Sequence, residues 1–264
     1  MIASLPGVDL FYTDSGGDGA PLVLLHANTG NADSWAHQFG PFAEAGYRVI
    51  AFDRRGWARS VPRPDTGPQP GCIAEDLDAL ATHLALPRFH LLGVAGGGFA
   101  ALDYAAWRGD RLRSLIVGAS YGQFIDPAIT EPYSRIATPA FKALPSEMRE
   151  LGPSYRGFEP AGLARWIEID RHAMRADGVA QPLRTPNSFA KVAAIGVPAL
   201  VIAGGADLYA PPRLMQLWAS NLRRHEFQVI AEAGHAINWE APAAFNAMVL
   251  DFLARATATS PAGT

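Results

Sequence analysis

The 264-residue sequence has one cysteine, Cys72, which excludes an internal disulfide and fits a reducing compartment. It has no basic run, and its formal net charge is −3, so the footprint that nucleic acid requires is missing. It also lacks an apolar run long enough for a bilayer: the longest uncharged stretch, Val192–Ala206, is broken by Pro198 and three glycines. The opening MIASLPGVDLFY has no basic segment ahead of an apolar one, so no secretory leader is expected and the chain reads as cytoplasmic. No His/Cys/Asp/Glu cluster has metal-ligand spacing, and no cofactor is implied. GVAGGG has no Lys-Ser/Thr after it and is a weak phosphate loop. Internal repeats and low-complexity linkers are absent.

What is present is apolar material: 49% hydrophobic residues against 18% charged ones, enough for a large core. Short apolar runs predict strands over Val8–Thr13, Pro21–His26, Tyr47–Asp53, Arg88–Val94, Leu112–Ser120, Ala199–Gly204 and Glu226–Ala231. Most are continuously apolar, as strands covered on both faces must be. Helical patterns lie between them, over Ser34–Ala45, Cys72–Ala85, Gly97–Trp107, Pro211–Leu222 and Ala241–Ala256. Asp33 is placed to cap the first, and Pro211 or Pro212 to start the fourth. Alternation of this kind specifies a doubly wound α/β sheet.

One segment, 121–187, breaks the rhythm with prolines, helical patterns and no strand. It reads as a helical cap inserted over the carboxyl ends of the strands, where open α/β sheets bind ligands. The core is then 1–120 with 188–256, and 257–264 is a tail expected to fray. The cap's eight Lys and Arg match its eight Asp and Glu, so it does not advertise an anionic substrate. Its aromatic residues, beginning with Tyr121, can serve its own core or a pocket.

Candidate chemistry sits where strands end. In FHLLGVAGGGFAALDYA, Gly93 and Gly97 flank Ala95 at a strand-to-helix bend. Glycines at those places let the chain close tightly, and a serine at the tip would make this G-x-S-x-G, a nucleophile elbow. In VIAGGADLYAPP, Asp207 follows a strand, and in VIAEAGHAINWE, His235 follows the next. A neutral imidazole takes a hydroxyl proton while a carboxylate holds its tautomer, so bend, acid and histidine form one working set. Asp126, after an earlier strand, is the alternative acid.

With these motifs the chain resembles the α/β-hydrolase superfamily over nearly its whole length. The resemblance implies an eight-stranded, mostly parallel sheet with a helical cap. It also implies an oxyanion hole from the N–H groups of Asn28, in LVLLHANTGNADSW, and Gly96. Ala27 stands where the family has glycine. DRRGWARS, residues 53–60, resembles a family loop with Ala58 at a glycine position; it reads as a structural turn from which Trp57 could reach the pocket. His26 reads as a brace for the loop. Leu208, Tyr209, Asn238 and Trp239 flank the acid and base and are candidate pocket walls, together with Tyr121.

Alanine at the bend has three readings. A serine has been replaced by alanine, leaving a pocket that binds without turnover. Or the chain is a natural small-molecule binder. Or the missing residue was Asp or Cys, although Gly96 in place of tryptophan after the bend disfavours the aspartate families. The first reading accounts for most of the surrounding residues. It implies a carboxylic ester or lactone hydrolase acting through an acyl-enzyme on a neutral, moderately hydrophobic substrate, as a monomer or homodimer. A C–C bond hydrolase or enol-lactonase would use the same triad.

Overall fold

A computed structural model describes residues 1–258. Strands β1 (Ile2–Leu5), β2 (Val8–Asp14), β3 (Pro21–Leu25), β4 (Arg48–Phe52), β5 (Val61–Pro62), β6 (Phe89–Val94), β7 (Leu112–Gly118), β8 (Ala199–Gly204) and β9 (His225–Ile230) form one sheet. Eight run in the order β1-β2-β4-β3-β6-β7-β8-β9, and the two-residue β5 pairs with β2. Pairing is antiparallel for β1–β2 and β2–β4 and parallel from β4 through β9. The expected α/β-hydrolase architecture is therefore present, with one short accessory strand. The seven runs expected as strands are all found. β1 escaped notice because it is four residues long and ends at the Pro6–Gly7 turn, where Gly7 has φ 79°.

The strand period of two explains both cores. Val23 and Leu25 of β3, with Leu91 of β6, face the helices Ile73–His83, Gly96–Trp107 and Pro212–Ala219. Leu22 and Leu24, with Leu92, face Ala36–Glu44 and Pro242–Ala258. Both faces of the central strands are dry, hence their unbroken apolar sequences. Two boundary expectations need correction. The turn Ala32–Trp35 precedes the first helix and is capped by Asn31, whose side chain accepts from Asp33 N at 2.8 Å, so Asp33 is not the cap. The last helix runs to Ala258, two residues into the segment expected as tail; residues 259–264 lie outside the described chain.

Between β7 and β8 come the helices Pro127–Ile136, Pro139–Lys142, Ser146–Glu150, Pro153–Phe158 and Pro160–Arg171. Prolines at the first turn preset φ and forgo an N–H that would lack a partner there, so the proline richness of this segment starts helices. Leu151, Trp166 and Ile169 pack on Trp239 of the core and anchor the segment. Among the described residues no helix is long and apolar enough to cross a membrane.

The 53–60 loop is tied down by a buried ion pair. Arg55 donates to both oxygens of Asp76, at 3.0 and 2.5 Å, and to the carbonyls of Pro6 and Pro68. Asp76→Ala would leave this guanidinium buried without its anion. A loss of about 3–5 kcal/mol is expected, read as a lower urea midpoint at an unchanged slope.

Candidate active site

β6 ends at Val94, and the next helix starts at Gly96, so the chain reverses at Ala95 alone. Its φ of 49° and ψ of −116° lie where side chains are strained, at roughly 1–3 kcal/mol. The bend is held by Ala95 N–H donating to Gly118 O at 2.9 Å and Ser120 Oγ donating to Ala95 O at 2.8 Å. The flanking glycines are sterically required. A Cβ on Gly93 would lie 2.4 Å from Gly97 O, and one on Gly97 would lie 2.1 Å from Leu25 O.

Asp207 and His235 come together after β8 and β9. His235 Nδ1 lies 2.8 Å from Asp207 Oδ2. Asp207 Oδ1 accepts from the N–H groups of Tyr209 at 2.7 Å and Ala210 at 2.9 Å, which fixes the carboxylate's direction. Burial opposes the charged imidazole, but the Asp207 charge and hydrogen bond, then Glu150 and Glu240, outweigh it and hold His235 above the ordinary 6.5. Asp126 instead accepts from Phe189 N at 3.0 Å, and among the described residues the carboxylate hydrogen-bonded to the histidine is that of Asp207.

The loop after β3 lies against the bend. The Asn28 side chain stands over Gly96, where a Cβ would meet Asn28 Oδ1 at 2.3 Å. Asn28 N–H makes no hydrogen bond among the described residues, and Gly96 N–H opens a helix, where no intrahelical acceptor precedes it. His26 braces this loop: its Nδ1 is 2.7 Å from Ala27 O, and its Nε2 accepts from Arg54 N at 3.0 Å. Burial, then the Arg54 charge, depress its pKa well below 6.5, as suits a neutral brace. Arg54 Nη2 donates to Asn28 Oδ1 at 2.9 Å, and burial lowers its pKa to about 9.

A cavity of about 250 Å³ joins these parts. Ala95, Gly96, Asn28 and His235 line it, with Ala27, Thr29, Phe99 and Tyr209 from the core and Tyr121, Tyr133, Arg149 and Glu150 from the cap segment. Tyr121 stacks on Tyr133 at 3.9 Å, and the Tyr209 ring lies 4.9 Å from that of His235. Four residues expected near the pocket stand elsewhere. Leu208 is 49% exposed, because the turn that aims Tyr209 inward aims its predecessor outward. Trp57 lies behind the loop, its indole N–H donating to Asn28 O at 2.9 Å. Asn238 and Trp239 line only a crevice of about 20 Å³ beside His235 and Glu150. Tyr133 is one of the cap aromatics expected to serve either the cap's core or a pocket, whereas Glu150, Arg149 and Thr29 were not foreseen. Among the described residues no group of three His, Cys, Asp or Glu could hold a metal ion.

The sequence model of the Alpha/beta hydrolase family matches residues 22–248. The chain belongs to that family. It is 30% identical over 261 residues to a 2-hydroxy-6-oxononadienedioate/2-hydroxy-6-oxononatrienedioate hydrolase of Paraburkholderia phymatum, covering 92% of this chain and 90% of the relative. An esterase from Thermogutta terrifontis superposes with a TM-score of 0.79 at 25% identity, covering 97% and 99% of the two chains. An enol-lactonase from Burkholderia xenovorans LB400 shares the fold, with a TM-score of 0.77 at 24% identity and coverage of 96% and 100%.

The charge around His235 has a measurable consequence. The proton-accepting form is lost as pH falls through a value above 6.5. In an NMR titration the His235 midpoint is expected above 6.5, and Asp207→Asn should lower it by removing the strongest stabiliser of the imidazolium. An unchanged midpoint would show that the carboxylate does not govern the imidazole.

Proposed function

We propose that this chain carries the machinery of a carboxylic ester or lactone hydrolase, with alanine in place of the nucleophilic serine. The supporting observation is the shared cavity: the strained tip at Ala95 and His235, backed by Asp207 at 2.8 Å, line the same space. A serine at 95 would attack the carbonyl carbon and pass its proton to His235 Nε2. Asp207, bound at Nδ1, holds the tautomer and stabilises the imidazolium. The N–H groups of Asn28 and Gly96 would receive the oxyanion. The imidazolium would return its proton to the leaving oxygen, and water would release the acyl group by the same steps in reverse.

A second reading is a C–C bond hydrolase. It is favoured by the Paraburkholderia relative, named for a diacid substrate, and by the Arg149 guanidinium on the cavity wall, which has no carboxylate partner among the described residues. Such a substrate would be anionic. The neutral ester expected from the balanced cap charges would not use that guanidinium.

Ala95→Ser tests the proposal. Loss of the nucleophile in a Ser-His-Asp enzyme lowers turnover roughly 10⁶-fold, about 8 kcal/mol. The serine variant should therefore hydrolyse a short-chain p-nitrophenyl ester or a simple lactone several orders of magnitude faster than the parent chain. No gain on either would favour a binding protein, and gain on a vinylogous 1,5-diketone alone would favour C–C cleavage.

A further inference from the structure

The cavity contains a second carboxyl for which a Ser-His-Asp mechanism has no task. Glu150 ends the helix Ser146–Glu150, lines the cavity with Ala95 and His235, and is only 8% exposed. Its main chain is joined to the histidine loop, its carbonyl accepting from His235 N at 2.6 Å and Ala236 N at 3.2 Å. Its side chain is joined to the opposite loop: Oε2 accepts the Thr29 hydroxyl at 2.7 Å, one residue after Asn28. Oε1 makes no hydrogen bond among the described residues. The carboxyl thus spans the two loops that carry the candidate base and the candidate oxyanion donor, with one oxygen held and the other unengaged.

Burial favours a proton on this group, while the surrounding charges are mixed in sign. Asp207 lies behind His235, and Asp170 and Glu240 add negative charge from neighbouring elements, while His235 and Arg149 supply the positive charge. Tyr121, Tyr133 and Tyr209 complete the titratable lining. Burial is the largest influence on Glu150 and raises its pKa against the opposing pull of His235 and Thr29.

Resting on the ester or lactone reading above, we propose that Glu150 is a further catalytic residue, a carboxylic acid supplied by the cap that protonates the departing alkoxide oxygen in place of direct proton return from His235. In attack, a serine hydroxyl at 95, or water in the chain with alanine, gives its proton to His235 Nε2 as its oxygen bonds to the carbonyl carbon. The carbonyl electron pair moves to oxygen. On collapse that pair returns, the bond to the leaving oxygen breaks, and the pair released there takes the Glu150 proton. The imidazolium then passes its proton to the Glu150 carboxylate, restoring both groups. With water as the nucleophile the sum is ester and water to acid and alcohol. With serine, water completes the sum by releasing the acyl-enzyme.

The leaving group separates this role from a structural one. p-Nitrophenolate departs without a proton, whereas ethoxide needs one. Rates for ethyl and p-nitrophenyl acetate are measured in the parent chain, in Ala95→Ser, and in each with Glu150→Gln, whose amide still accepts from Thr29. The ethyl-to-p-nitrophenyl ratio should fall roughly 10²-fold or more in the glutamine variants, the range of a lost general acid. Glu150→Met, of similar volume, should lower it too. Equal losses on both esters, or an unchanged ratio in a variant that melts as its parent does, would overturn the proposal. If Ala95→Ser hydrolyses neither ester nor a lactone, the ester reading fails separately. Glu150 is then judged by infrared difference between the parent chain and Glu150→Gln at neutral pH. A protonated-carboxyl band lost in the glutamine variant supports a proton held for donation, and no such band overturns it.

Discussion

The site depends on one backbone conformation, the reversal at Ala95. A strand can become a helix within a single residue only if that residue leaves the ordinary regions, and φ 49° does so. The reversal brings strand and helix so close that glycine is required on both sides, at 93 and 97. It also leaves the N–H of Gly96, a residue of the cavity lining, without a helical acceptor. Strain, glycine spacing and the free donor are three results of the same turn. Hydrogen bonds to Gly118 and Ser120 of the neighbouring β7 end keep it from relaxing.

The opposing loop is held by charge. Asp53 accepts from Ala32 N at 2.8 Å and from Arg59 Nε at 2.7 Å, fastening the 53–60 loop to the segment after β3. Arg54 lies over the Trp57 ring at 4.3 Å and binds the Asn28 side chain, with no carboxylate partner among the described residues. A buried cation without a counter-ion is costly in itself. Beneath a loop proposed to receive a developing oxyanion, its field acts in the useful direction. DRRGWARS therefore does more than turn the chain: Asp53 and Arg59 fix the loop, and Arg54 contributes charge below it.

What could be read from the sequence was what the chain encodes locally. The Gly93–Gly97 bend and Asp207 follow the apolar strands β6 and β8, His235 follows the more polar β9, and the parallel sheet delivers these strand ends to one edge. Neighbourhood in sequence misled at Leu208. Asp207 accepts from the N–H groups of residues 209 and 210, and that turn sends Tyr209 inward and Leu208 outward. Trp57 was misplaced for a related reason: its indole N–H is spent on Asn28 O, behind the loop. Glu150 left no local sign. It was one of eight acids in an electrically balanced segment, and only the docking of that segment on His235 and Thr29 removes it from water.

That docking links the cap to the proposed base. Glu240 Oε2 accepts from Gly152 N at 2.8 Å and Gly234 N at 3.0 Å, while the Glu150 carbonyl takes the N–H of His235. The histidine loop and the cap therefore move as one unit or break several buried hydrogen bonds together. This bears on the alanine. Glycine at 95 would have relieved the bend's strain, yet a Cβ is kept there without a hydroxyl. If the pocket served only to hold a ligand, neither the strained Cβ nor the acid aligned between the two loops would have a task. With the proposed base at His235, the proposed acid at Glu150 and two N–H groups beside the bend, a hydroxyl at 95 would complete the proposed set, and water in its place would leave the same proton transfers to be made.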